Sequence, residues 1–217
     1  MDNNIPSKKN DQFDISLEAA LPANTFDNLY CAGCAYYEIG NYTKALEYFI
    51  NAIALRPNDC ELINNSALTF CKMGEFRQGI KYFRKAIEQK PDFLPAYVNM
   101  AFALSELGIY DEAFEYCQKA LEINPEDENA LYFAGIACDN TEKYQMAIDF
   151  YERALQKSPD STGILVSLGM VMSKIGDFAN AVSYFSRAIE IEPDNTDALN
   201  NLGGAYEVEL IWMPGHQ

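Results

Sequence analysis

Prolines stand at Pro57, Pro91, Pro125, Pro159 and Pro193, each 34 residues after the one before. A fixed period of that length marks stacked copies of one supersecondary unit, each too small to bury its own apolar faces. With Phe26, Cys60, Leu94, Glu128, Thr162 and Thr196 as first residues, the chain divides into a flexible N-terminal tail (1–25), five full units (26–59, 60–93, 94–127, 128–161 and 162–195) and a partial sixth at 196–217.

Each unit reads as two short amphipathic helices. In the first, position 4 is Leu29, Ile63, Tyr97, Leu131, Leu165 and Leu199, and position 8 is always small: Gly33, Ala67, Ala101, Gly135, Gly169 and Gly203. Position 11 is Tyr36, Phe70, Leu104, Cys138, Met172 and Tyr206. Positions 4, 7, 8 and 11 lie within about 100° on a helical wheel, so they form one apolar stripe. In the second helix, position 20 is Ala45, Gly79, Ala113, Ala147 and Ala181. Position 24 is Phe49, Phe83, Cys117, Tyr151 and Phe185, and position 27 is alanine throughout. Gly40, Gly74, Gly108 and Gly176 end the first helices, since glycine takes the left-handed conformation at little cost. In the fourth unit Glu142 stands at that place, and Asn140 is the residue expected to turn the chain there. Gly79, inside a helix, and Gly163, in a first turn, are expected to be soft joints.

These columns resemble the tetratricopeptide repeat, and the resemblance covers residues 26–206. It implies an all-α fold, a right-handed superhelical solenoid of stacked helix-turn-helix repeats. It also implies a concave inner surface, lined by positions 2, 5, 6, 9, 12 and 13 of the first helices, that receives peptides. Position 6 carries Asn65, Asn99 and Asn201, whose amides suit the backbone of an extended ligand. Cys31, Phe133 and Ser167 interrupt that column, which otherwise is similar to the asparagine ladder in the repeats of O-linked N-acetylglucosamine transferase. Position 9 is apolar in four successive units (Leu68, Phe102, Ile136 and Met170), and position 5 adds Tyr30, Val98, Tyr132 and Val166. Position 9 either lines the groove or packs against the neighbouring repeat. The peptide-binding set is therefore Tyr30, Asn65, Leu68, Asn99, Phe102, Tyr132, Phe133, Ile136, Met170 and Asn201. The lysine-and-asparagine pattern with which related repeats hold the C-terminal carboxylate of large heat-shock chaperones is not kept.

The chain's formal charge of −16 disfavours nucleic acid and anionic membranes as partners. No apolar run approaches a membrane span, and no signal-peptide profile opens the sequence, so no membrane insertion and a cytoplasmic setting are expected. Cys31-Ala32-Gly33-Cys34 is the single CxxC, and His216 the single histidine, which gives neither a zinc-ligand set nor a nucleophile–base pair. The sequence thus points to a non-enzymatic protein-binding scaffold without cofactors, taking an extended or amphipathic peptide. Two alternatives are the substrate-selecting part of a larger, glycosyltransferase-like enzyme and a chaperone that shields an apolar client segment. Two further expectations concern the ends: Phe13, Ile15 and Leu17 docking in the groove, and self-association through the Trp212 end.

Overall fold

The computed structural model describes residues 25–212, with side chains described as far as Tyr206. The N-terminal docking segment and the Trp212 side chain lie outside the described residues. Among the described residues there are eleven helices and no strand, an all-α helical repeat array. Two compact units divide after Phe93. The first holds α1 (Phe26–Glu38), α2 (Tyr42–Leu55), α3 (Cys60–Lys72) and α4 (Phe76–Gln89). The second holds α5 (Leu94–Glu106), α6 (Tyr110–Ile123), α7 (Glu128–Asn140), α8 (Tyr144–Lys157), α9 (Thr162–Lys174), α10 (Phe178–Ile191) and α11 (Thr196–Trp212). In each unit the helices pair as antiparallel hairpins, and hairpins stack on their sequence neighbours.

All five hairpin turns use one hydrogen-bond pattern. In the first, the Asn41 N–H donates to the Tyr36 carbonyl and the Gly40 N–H to that of Tyr37; the other four repeat it in register. This pair of hydrogen bonds satisfies carbonyls left over at the helix end and requires a left-handed residue at position 15. Gly40, Gly74, Gly108 and Gly176 have φ between 72° and 83°. In the fourth repeat the left-handed residue is Glu142 (φ 60°), not Asn140, which stays in α7. Asparagine's tolerance of that conformation is outweighed by the register of the motif.

The small residue at position 8 exists because of the ring at position 24. A Cβ on Gly33 would lie 2.5 Å from the Phe49 ring, one on Gly135 2.4 Å from Tyr151, and one on Gly169 2.5 Å from Phe185. The second repeat inverts the arrangement. It has Ala67 at position 8, and the missing side chain is moved across the interface to Gly79, where a Cβ would meet Cys71 Sγ at 2.6 Å and the Ala67 carbonyl oxygen at 2.9 Å. Gly79 is buried at a close approach of two helices, so it is a packing requirement rather than a soft joint. The third repeat keeps alanine at both places and shrinks position 24 to Cys117. Burial pushes the Cys117 thiol up to about 12 and that of Cys138 to about 11, so both behave as small hydrophobes.

Repeats are also clipped at their turns. Asp59, Asp127 and Asn195 accept from the N–H groups of Leu62, Ala130 and Ala198, capping α3, α7 and α11. In the second unit Arg153 donates to the Pro125 carbonyl at 2.9 Å and Arg187 to that of Pro159. Lys157 pairs with Glu126 over the same turn.

The sixth repeat leaves the pattern at position 15, occupied by Leu210. The helix runs straight through to Trp212 instead of turning. Ala198 and Ala205 are buried on the fifth repeat, and Leu202 packs beside them.

Glu142→Gly removes the Cβ that disfavours a left-handed backbone and should raise unfolding free energy by about 1 kcal/mol, read as a higher urea midpoint with unchanged slope. Gly135→Ala should lower it by about 1–3 kcal/mol through overlap with the Tyr151 ring. In a Tyr151→Leu background the same change should be neutral or slightly stabilising, because alanine is the better helix former.

Candidate inner-face binding site

In the first unit the inner faces of α1 and α3 bound a pocket of about 170 Å³ lined by Cys34, Tyr37, Glu38, Phe49, Asn65 and Leu68. Phe49 belongs to α2, and the gap left by Gly33 lets its ring lie against α1. Tyr30 stands beside the pocket, its ring 6.1 Å from that of Phe49 between centroids. Burial chiefly, and Cys34 beside it, push its phenol up, while the hydrogen bond from Asn65 opposes them. That bond, from Asn65 Nδ2 to the Tyr30 hydroxyl at 3.0 Å, alters the expected role of Asn65. Its amide nitrogen braces the preceding repeat.

In the second unit a cleft of about 430 Å³ lies between α7, α9 and α11. Tyr132, Val166 and Met170 supply its apolar walls, and Ser167, Asp197 and Asn201 its polar ones. Gly163 widens the mouth, since a Cβ there would stand 3.8 Å from the Tyr132 hydroxyl. Asn201 donates to the Asp197 carbonyl of its own helix at 2.8 Å, so its Nδ2 too is engaged. Thr162 and Asn195 both donate to Glu192 (3.0 and 2.8 Å), and those bonds, that of Asn195 foremost, hold the carboxyl below its usual range. This network fixes one end of the cleft.

The remaining expected residues divide. Phe102 meets Phe133 at 5.7 Å between ring centroids, Phe133 meets Tyr132 at 5.7 Å, and Tyr132 meets Tyr151 at 5.8 Å. These rings form a continuous aromatic run from α5 to α8. Ile136 packs on the core of the second unit. Position 9 therefore does both things: Leu68 and Met170 line cavities, whereas Phe102 and Ile136 bind repeats together. Asn99 is half-buried on α5. Val98 and Val166 at position 5 are 7% and 8% exposed, whereas Tyr30 and Tyr132 in the same column are half-buried.

Several lining residues fall outside the expected set. Cys34, Tyr37 and Glu38 occupy positions 9, 12 and 13, and Gly163 and Asp197 occupy position 2. The wheel puts all these positions on the inner side; their mixed residue types hide them. Also unexpected is buried Asp139 at position 12, paired with Lys174 Nζ from the next repeat at 2.6 Å. This pair joins α7 to α9, and removing Lys174 would leave a buried carboxylate without its counter-charge.

Among the described residues no group of three His, Cys, Asp or Glu side chains is placed to hold a metal ion. None of the helices there is long and apolar enough to cross a membrane.

Comparison with known proteins gives one consistent answer. The family model described as "Psidin, N-terminal TPR repeats region" matches residues 69–195, more than half the chain, and the tetratricopeptide repeat model matches 26–59. No curated protein matches. Among solved structures, MamA (41-end) from Desulfovibrio magneticus RS-1 is similar with a TM-score of 0.71 at 19% identity, covering 82% of this chain and 99% of that one. TTC0263, a thermophilic TPR protein of Thermus thermophilus, is similar with a TM-score of 0.69 at 21% identity, covering 84% of this chain and 100% of that one. YrrB, described as a TPR protein with an unusual peptide-binding site, is similar with a TM-score of 0.65 at 17% identity, covering 87% of this chain and 96% of that one. The chain belongs to the tetratricopeptide repeat family.

Proposed function

We propose that this chain is a non-enzymatic interaction scaffold that holds extended or amphipathic peptide segments on the inner faces of its first helices. The observation that carries the reading is the cleft between α7, α9 and α11. There an aromatic ring, two aliphatic side chains and the polar groups of Ser167, Asp197 and Asn201 converge on one concavity. Such a mixture suits a peptide: apolar walls take a side chain, and scattered polar groups meet the backbone. The pocket beside Asn65 and Leu68 has the same character in the first unit. The peptide-binding site named for YrrB supports the same reading by likeness of fold. The acidic balance of the chain favours partners with basic or neutral segments and opposes nucleic acid.

Peptides selected from a random display library against the full chain test this reading. Met170→Lys or Asn201→Ala should weaken a selected peptide by about tenfold or more, a loss of about 1.4 kcal/mol. Met146→Lys, on the exposed side of α8, should leave affinity unchanged. Peptides lost through the Met146 change and kept by the Met170 variant would place binding on the outer helices and overturn the proposal.

A further inference from the structure

In each of the five hairpins, the first-helix stripe at positions 4, 8 and 11 is roofed by the second helix of the same repeat. Leu29, Gly33 and Tyr36 are buried in this way, as are Leu165, Gly169 and Met172. Helix α11 carries the same stripe as Leu199, Gly203 and Tyr206, and nothing among the described residues roofs it. Leu199 is 44% exposed and Tyr206 45% exposed. A Cβ added to Gly203 would meet no atom within 4 Å, whereas at Gly169 it would lie 2.5 Å from a ring. The other side of α11 is docked through Ala198 and Ala205. One face is thus anchored and the other is presented.

We propose that this open stripe binds an amphipathic α-helix supplied by a second polypeptide. The roofing helices within the chain define what fits. In the fifth repeat α10 places Ala181, Phe185 and Ala188, each 0% exposed, over the stripe of α9. The same small residue, ring and alanine recur as Ala45, Phe49 and Ala52, and as Ala147, Tyr151 and Ala154. Wherever position 8 of a hairpin is glycine, position 24 is an aromatic ring; beside Ala67 the ring of Phe83 is kept only with Gly79 at position 20, and beside Ala101 position 24 shrinks to Cys117. Gly203 therefore selects an aromatic residue. The partner helix carries alanine, then Phe or Tyr four residues on, then alanine three further along. A second copy of α11 does not meet this requirement, because Leu202 and Glu209 stand where Tyr206 would need flanking alanines. Two copies, each of charge −16, also repel. This surface is separate from the inner-face cleft, whose lining includes none of Leu199, Gly203 and Tyr206.

The probe is a fluorescent peptide of residues 176–193, the α10 sequence, stapled between positions 183 and 187. Both are exposed in the hairpin, and the staple removes the cost of ordering a short isolated helix. Anisotropy titration with the full chain should saturate. Phe185→Ala in the peptide, or Gly203→Leu or Leu199→Asp in the protein, should weaken binding by about tenfold or more. Met170→Lys should leave it unchanged, which separates this surface from the groove. Circular dichroism melts should show each protein variant folded. Absence of saturable binding, or binding that Gly203→Leu leaves intact, overturns the proposal. So does a dimer in sedimentation that Leu199→Asp abolishes, since it would give the stripe to a second copy.

Discussion

The fold depends on how a planar ring and an absent side chain share one space between two helices. In three of the five hairpins, a Phe or Tyr ring on the second helix fills the volume that a Cβ on the first would occupy. The second repeat moves the missing carbon to the opposite helix, and the third removes the ring. These are three ways of sharing the space between two helices among positions 8, 20 and 24. A methyl too many forces the helices apart, and one too few leaves a void. Because that gap sets where each first helix lies, it also sets where inner-face side chains meet. The cleft beside Tyr132 is shaped by Tyr151, whose buried ring touches it from behind.

Much of this is legible in the sequence because repetition records packing. A column that is small in every unit reports a close approach, and a column of rings reports what approaches. Two expectations fail for a shared reason. Residue type alone favours Asn140 over Glu142 for the left-handed turn, and it makes Gly79 a flaw in its helix. In the structure the place in the repeat decides: Glu142 occupies position 15, where the paired turn hydrogen bonds of Glu142 and Lys143 require a left-handed backbone, and Gly79 compensates for Ala67. Positions 8 and 20 taken as a pair reveal the second.

The inner face is legible only by position. A helical wheel finds the side on which Asn65, Met170 and Asn201 lie, but it does not choose among rotamers or bonding partners. The Asn65 amide is held by a tyrosine thirty-five residues earlier, and that of Asn201 by its own helix. Phe102 and Phe133, alike in sequence to pocket-lining residues, turn out to be stitching between repeats. An asparagine column and an apolar column therefore divide, residue by residue, into groups that line the two concavities and groups that shape the wall behind them.

The clips between repeats have a kinetic consequence. In the second unit, the Arg153, Arg187, Ser158, Thr162 and Lys174 side chains reach partners only 28 to 35 residues away. Every such contact closes a loop about one repeat long, whose entropy is modest, and none waits for distant parts of the unit to find one another. Folding can begin in whichever hairpin forms first and spread to its neighbours by docking one helix pair at a time. Opening runs the same course in reverse. Helix α11, held along one face alone among the described residues, is then the first to exchange its amide hydrogens, and the hairpins packed on both sides are the last.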